Sequence, residues 1–483
     1  MPAEARRPRA PGLEPLFVAA LALFGFRLGA RSIGDNSMFV HLRTGADMVR
    51  TGAIPRRDPY SFTARGHAWV VQSWLPEWTY GWAHDLGGYR LVVIEQAVIM
   101  AVLALLLGLL ARAGTPLRTA LAAGIAVGAG AAYWVPRPLM FGLVCMALTV
   151  LVLERRWSRW WLLPIMWVWV SSHGSFVLAV AWLGGRGLGE AIDTKGWPRQ
   201  AVHYAVGMAA GLAVSVLNPL GPKLLTFPLA VQQKASVFKS IVEWHSPNFQ
   251  TAAGEFTLVF LVVGLLVLLR RGVSWSDSIP IVGMLAASLI AQRNLPLAAV
   301  VMAPALGRAL AVGRDSPPVV GGGGPSAAPA EPAERREPAR VNLAFAVVLG
   351  LAFVVFAAGV YRQAPLSLKS YPVAAINFLE QSGLRGPTHR VAEQDVVGCF
   401  LDLRFGTQAR VFVDDRYDMF PLSVADDYTS LLKGDQNSLA VLARRNVDVV
   451  LWDKTLPLVT TLQATGRWQQ VYQKGDWVVL HRA

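Results

Sequence analysis

Charge is what this chain has least of. Asp, Glu, Lys and Arg make up 16% of its 483 residues, against about 25% in an average soluble domain. That deficit and the long apolar runs within a 54% hydrophobic composition place the chain among polytopic membrane proteins. Cysteine is nearly absent. Cys145 sits in an apolar run and Cys399 in a polar tail, so no disulfide between them is expected and the compartment has to be read from topology. There is no Walker loop, no G-x-G-x-x-G fingerprint and no G-x-S-x-G elbow, which leaves nucleotide hydrolysis and serine-hydrolase chemistry without support. No repeat of fixed period is present. The net charge of +14 does not mark a nucleic-acid partner, because the basic residues are short clusters between apolar runs.

What is there is about eleven apolar segments of spanning character. They lie near 14–32, 90–111, 117–134, 138–154, 160–175, 175–191, 203–219, 255–270, 278–292, 294–312 and 341–361. The first follows Arg6, Arg7 and Arg9 and is longer than a signal-peptide core, so it reads as a retained anchor. With the N-terminus in the cytoplasm, Arg112, Arg118, Arg155, Arg156, Arg159, Arg186, Lys195, Arg199, Arg270 and Arg271 all fall inside, as the positive-inside rule requires. Residues 313–340 are rich in Gly, Pro and Ala, cannot build a core, and read as a disordered cytoplasmic linker. The expected organisation is a transmembrane module over 1–312 with a long outer loop at 33–89. The linker and a last span at 341–361 follow, and 362–483 form a small extracytoplasmic α/β domain. In that tail YPVAAINFLEQSG reads as a helix, ARVFVDD and DVVLWD as strands, and WQQVYQKGDWVVLHR as a hairpin turning at Lys474-Gly475-Asp476.

This orientation gathers the unusual polar residues on the outer side. They are Asp35 and His41 at the start of the long loop, Arg137 before Pro138, and His173 in a Ser-Ser-His-Gly run. Glu243, His245 and Arg293 follow in later outer loops. Ionisable groups at a membrane edge are costly and mark a functional site by default. A carboxylate there serves as general base for an acceptor hydroxyl, and arginine forks neutralise a phosphate leaving group. Phe39, Leu42, Ala46 and Val49 recur at helical spacing and predict an interfacial amphipathic helix. Glu95 within the second span calls for a partner in the bundle. Asp58-Pro59 reads as a turn, and Asp414-Asp415-Arg416-Tyr417-Asp418 as a solvated turn with an Asp–Arg pair.

These residues resemble a family. Asp35-Asn36-Ser37 through His41-Leu42 and Gly45, then Ile54-Pro55 with Asp58-Pro59-Tyr60-Ser61-Phe62, then Trp74-Leu75 with Glu77, are similar to the first outer loop of the GT-C superfamily. Its members are polytopic glycosyltransferases that use polyprenyl-phosphate-linked sugars. The resemblance is to its bacterial and archaeal branch and continues through Arg137-Pro138, His173-Gly174-Ser175-Phe176, Arg293-Asn294-Leu295-Pro296 and Val413 to Asp418. It implies a membrane glycosyltransferase, hexosyl or pentosyl, with Asp35 catalytic, while the gathering of polar groups on the outer side puts His41, Arg137, His173, Glu243, His245 and Arg293 at the substrate. The implied donor is a polyprenyl-phosphate sugar and the acceptor a glycan, lipid or protein, at the plasma membrane. Where family members carry a second acidic residue, Ser37 stands here. No metal ligand is therefore assigned, and a divalent-cation requirement stays open. Two alternatives use the same cavity: a transporter of lipid or solute, and a non-catalytic scaffold.

Overall fold

The computed structural model describes residues 11–234, 242–269, 273–311 and 339–483. The expectations for Arg6, Arg7, Arg9, Arg270, Arg271 and the body of the 313–340 linker lie outside the described residues.

Each apolar segment read from the sequence coincides with a helix. In chain order the helices of the first three hundred residues are α1 (Leu13–Gly29), α2 (Asn36–Thr51), α3 (Trp74–Leu110), α4 (Pro116–Ala131), α5 (Leu139–Glu154), α6 (Leu162–Val170), α7 (Phe176–Thr194), α8 (Arg199–Val214), α9 (Lys223–Gln233), α10 (Ala252–Leu268), α11 (Trp275–Ile290) and α12 (Leu295–Ala311). The long helix α13 (Ala339–Arg362) leads to the tail. Three helical segments, Trp74–Leu110, Gln292–Ala311 and Ala339–Arg362, are long and apolar enough to cross a bilayer on their own account. α3 breaks at Gly87–Gly88, where Gly88 has φ +63°, so its first part belongs to the long loop and the remainder to the span predicted at 90–111. Glu95 finds a partner in that first part: the Thr79 hydroxyl donates to its Oε1 at 2.6 Å.

Polar groups occupy the two ends of the bundle. At one end Arg112 meets Glu14 at 3.1 Å, and Arg186 and Arg308 are laced to Glu154 and Asp277 at 2.7–3.5 Å. Four helices, α5, α7, α11 and α12, are tied by that network. Pro138 and Arg293, at the other ends of α5 and α12, face a cavity described below. Cys145 and Cys399 are free and buried.

The tail comprises α14 (Val373–Gln381), β1 (Val391–Glu393), α15 (Asp395–Phe405), α16 (Leu422–Lys433), α17 (Asn437–Arg444), β2 (Val449–Asp453), α18 (Pro457–Ala464), β3 (Trp468–Lys474) and β4 (Trp477–Arg482). The sheet order is β1-β2-β4-β3, with β1 parallel to β2 and the other pairs antiparallel. The predicted helix, the DVVLWD strand and the hairpin are all present, the last turning through Gly475 at φ +61°.

Two expectations need correction, and one contact explains both. ARVFVDD is not a sheet strand. It runs extended against the first loop, with Phe62 N–H donating to the Val411 carbonyl at 3.0 Å, Val411 N–H to the Tyr60 carbonyl at 3.3 Å, and the Thr63 hydroxyl to the Phe412 carbonyl at 2.5 Å. The apolar side of α2 does not lie in the membrane interface either. Phe39 and Leu42 are buried, and Phe39 packs on Tyr371 and Phe400 of the tail. The tail thus covers the loop, using the extended segment and the amphipathic face as its docking surface. A second seam, Ile33 N–H to Pro365 O and Ser367 N–H to Ile33 O, both 2.8 Å, joins the exit of α1 to the chain leaving α13. Loop and tail therefore lie on one side of the bundle.

Candidate functional site

Where α2 and the first part of α3 cross, Gly45 and Gly81 set the spacing. A Cβ at Gly45 would fall 2.0 Å from the Glu77 carbonyl oxygen, and one at Gly81 2.3 Å from the Gly45 oxygen. Only glycine permits so close an approach of two helices. One turn earlier on α2, His41 faces Glu77, its Nδ1 sharing a 2.6 Å hydrogen bond with Oε1. The second Glu77 oxygen is buried with no hydrogen-bond partner among the described residues.

Asp35 caps α2, accepting the Met38 N–H at 3.1 Å. It also receives a two-pronged guanidinium from Arg137: Nε to Oδ1 and Nη2 to Oδ2, each 2.7 Å. The remaining prong of Arg137, Nη1, reaches Glu243 at 2.6 Å. Burial by itself would lower the Arg137 pKa, but the hydrogen bonds and charge of Asp35, with Glu243 and Asp415, outweigh it and hold the guanidinium firmly protonated. Asn36 donates to Asp415 of the tail at 2.7 Å, so the loop and the tail share this cluster. Burial, with Asp395 next to it, pushes the Asp415 carboxyl well above the usual carboxylate range, against the opposing pull of Arg137.

His173 sits in the short turn between α6 and α7. Its Nδ1 accepts the Ser175 N–H at 3.1 Å, which fixes the neutral tautomer with Nε2 as the protonated nitrogen. Burial, reinforced by Arg293 and then His41, brings its pKa down to about 3. Arg293 opens α12 and stacks its guanidinium 4.5 Å from the centre of the Trp244 ring. Among the described residues it makes no ion pair, whereas Arg137 is bound by two carboxylates. Of the two arginines it is the one with no carboxylate in hydrogen-bond contact among the described residues, and Glu243 acts on its charge only from a distance.

These groups line one cavity of about 570 Å³. Of the residues proposed from sequence, His41, Arg137, His173, Glu243 and Arg293 line it. Asp35 stands directly behind Arg137. His245 is not among the lining residues. Its main chain instead joins two short turns, with N–H to Val242 O and carbonyl to Gln292 N–H.

The far wall comes from the tail, where no site residue is expected from sequence. Asp395 accepts the Tyr417 and Tyr428 hydroxyls at 3.0 and 2.9 Å, and Asp415, Tyr417 and Asp418 complete the wall. The 414–418 run is not a solvated turn. Its Asp414–Arg416 pair exists but is buried, and Arg416 also holds Asp58 of the first loop at 2.8 Å. Asp58 does form the predicted turn, accepting the Tyr60 and Ser61 N–H groups. The signal for Asp395 is a carboxylate two residues past the end of the short strand β1, and strand C-termini are where α/β folds place ligands.

No family model matches the chain, and no curated protein matches it by sequence. Several solved structures resemble it, two of them over 90% or more of this chain. One is the archaeal oligosaccharyltransferase AglB from Archaeoglobus fulgidus, in complex with an inhibitory peptide and a dolichol-phosphate. It is 14% identical, with 90% of this chain and 69% of that one covered at a TM-score of 0.55. The other is ArnT from Cupriavidus metallidurans, bound to undecaprenyl phosphate. It is 15% identical over 96% of this chain and 97% of that one, at a TM-score of 0.41, too loose a fit to argue from. At such low identity the AglB match establishes shared architecture rather than shared chemistry.

Proposed function

We propose, from a chain that has the GT-C fold, that it is a membrane glycosyltransferase. It moves a sugar from a polyprenyl-phosphate donor to an acceptor hydroxyl on the extracytoplasmic face. The observation that carries this reading is the pairing, in one cavity, of a guanidinium at Arg293 stacked on Trp244 with a carboxylate-bound one at Arg137. A phosphate headgroup binds at Arg293 first, because that cation loses no ion pair in doing so. It then competes with Asp35 and Glu243 for Arg137.

As Arg137 turns to the phosphate, the Asp35 carboxylate is released beside the cavity. In the transfer step the acceptor oxygen forms a bond to the anomeric carbon while the bond from that carbon to the phosphate oxygen breaks. Asp35 takes the acceptor proton. The departing lipid phosphate carries the electron pair and is held by Arg293 and Arg137. His173 is neutral and donates from Nε2, which suits a sugar hydroxyl or a bridging oxygen.

The test is release of lipid phosphate by pure protein given a polyprenyl-phosphate sugar and a panel of glycan, lipid and peptide acceptors. Turnover that Arg293→Ala lowers mainly through the donor KM is the expected result. Binding of lipid phosphate with no turnover for any acceptor overturns catalysis. One observation favours a scaffold in that case: both Asp35 oxygens are already engaged, by Arg137 and by the helix cap.

A further inference from the structure

Away from the cavity, at the other end of β1, three donor side chains meet. His389 lies just before β1, Asp448 just before β2, and His481 within β4. One ligand atom from each falls within 4.8 Å of the other two. Residues 59 and 92 positions apart from His389 are brought there by the sheet, since β2 lies between β1 and β4 and Val449 pairs with His481. We propose that His389, Asp448 and His481 form a divalent-cation site, with zinc the favoured ion, that clamps the three strands of the terminal domain.

The donor set is two imidazoles and a carboxylate, the nitrogen and oxygen ligands that zinc accepts in tetrahedral sites with a fourth position left to water. The spacing is close to what is needed. His389 Nδ1 and Asp448 Oδ2 stand 2.5 Å apart across a hydrogen bond. Two donors bound to one zinc at about 2.0–2.2 Å stand about 3.3 Å from each other, so the pair opens by less than about 1 Å as the cation replaces the shared proton. The imidazoles of His389 and His481 meet edge to face, 6.1 Å between centroids.

The carboxylate is also positioned from behind. Asp448 Oδ1 accepts the Arg390 N–H at 2.7 Å, leaving Oδ2 to the cation, the outer-shell arrangement that orients metal ligands. Side chains of His389 and Asp448 are 26% and 30% exposed, which gives an ion a path from solvent and room for the water. His389 precedes β1 and Asp395 of the cavity wall follows it, so the two lie at opposite ends of that strand and the ion holds the domain together rather than meeting substrate.

The test uses the full chain in detergent, stripped with chelator and titrated with zinc alone. About one zinc per chain by elemental analysis is expected, with a rise in the melting temperature and, for cobalt in its place, intense tetrahedral d–d absorption. His481→Gln is expected to weaken zinc binding by more than about tenfold, the scale that outer-shell contacts alone carry, while the metal-free melting temperature stays as in the parent. His389→Gln serves as the second variant, since it also removes the Asp448 hydrogen bond. No zinc uptake by the stripped parent, or uptake unchanged in both variants, overturns the proposal. Neither outcome bears on transfer activity.

Discussion

At the scale of single residues, the two arginines separate binding from architecture. Arg293 touches the Trp244 ring and, among the described residues, forms no ion pair, so Arg293→Ala is expected to cost about 0.5–1 kcal/mol of stability while raising the donor KM at least about tenfold. Arg293→Lys keeps the charge but not the fork, and recovers part of the loss. Arg137 is different: Arg137→Ala leaves Asp35 and Glu243 facing each other without their cation, and costs about 3 kcal/mol or more of stability as well as activity. Asp35→Asn keeps a capping oxygen for Met38, so its expected effect is loss of turnover by about 10²–10⁴-fold with the protein still folded. Retained turnover removes Asp35 as the base. Asp418 adds a pH signature. Burial raises its pKa to about 6, although Lys234 and Arg416 oppose the shift. A carboxyl whose folded pKa lies above its unfolded value stabilises the protein below about pH 4, and that contribution fades as pH rises through about 6. The melting temperature is expected to fall over that window by the equivalent of about 1–3 kcal/mol, and Asp418→Asn to flatten the fall.

At the scale of elements, the crossing of α2 over α3 is the joint that sets His41 against Glu77. Gly45→Ala drives a methyl into the Glu77 carbonyl. It is expected to cost about 1–3 kcal/mol and to depress turnover, because the crossing must open before the methyl fits. The positions of the helices were legible in the sequence, since burial in lipid or in protein asks for the same apolar run. Hydropathy could not say which surface a half-apolar element would meet. The stripe of Phe39 and Leu42 and the extended Val411–Phe412 segment each fit a membrane interface or a sheet on local grounds, and both were claimed by the other end of the chain. Asp414 and Arg416 look solvated in a single segment. They are buried where the first loop meets the tail, and Asp58, more than three hundred residues earlier, shares the Arg416 guanidinium with Asp414. Asp395 escaped notice for a related reason: its tyrosine partners at 417 and 428 follow no spacing that a linear pattern records.

At the scale of the whole molecule, the contact between loop and tail predicts that both lie on one side of the bilayer, opposite the charge network at Glu154, Arg186, Asp277 and Arg308. Single cysteines replacing the exposed residues His67, Gln473 and Lys195 test this with a membrane-impermeant thiol reagent, in a background where Cys145 and Cys399 are buried. The first two are expected to label together from outside intact cells, and the third only after lysis. Labelling of His67→Cys and Gln473→Cys from different sides would dismantle the cavity. The seam between Ile33 and the 365–367 segment also has a consequence for biogenesis. A polypeptide emerges from the ribosome N-terminus first, so Asp35 and Asp58 leave the translocon long before Arg416 and Asp415 exist. The nascent chain must hold that loop open until the final hundred-odd residues arrive to close it, and a chain stopped short in the tail would carry the helices of the bundle and still lack the far wall of the cavity.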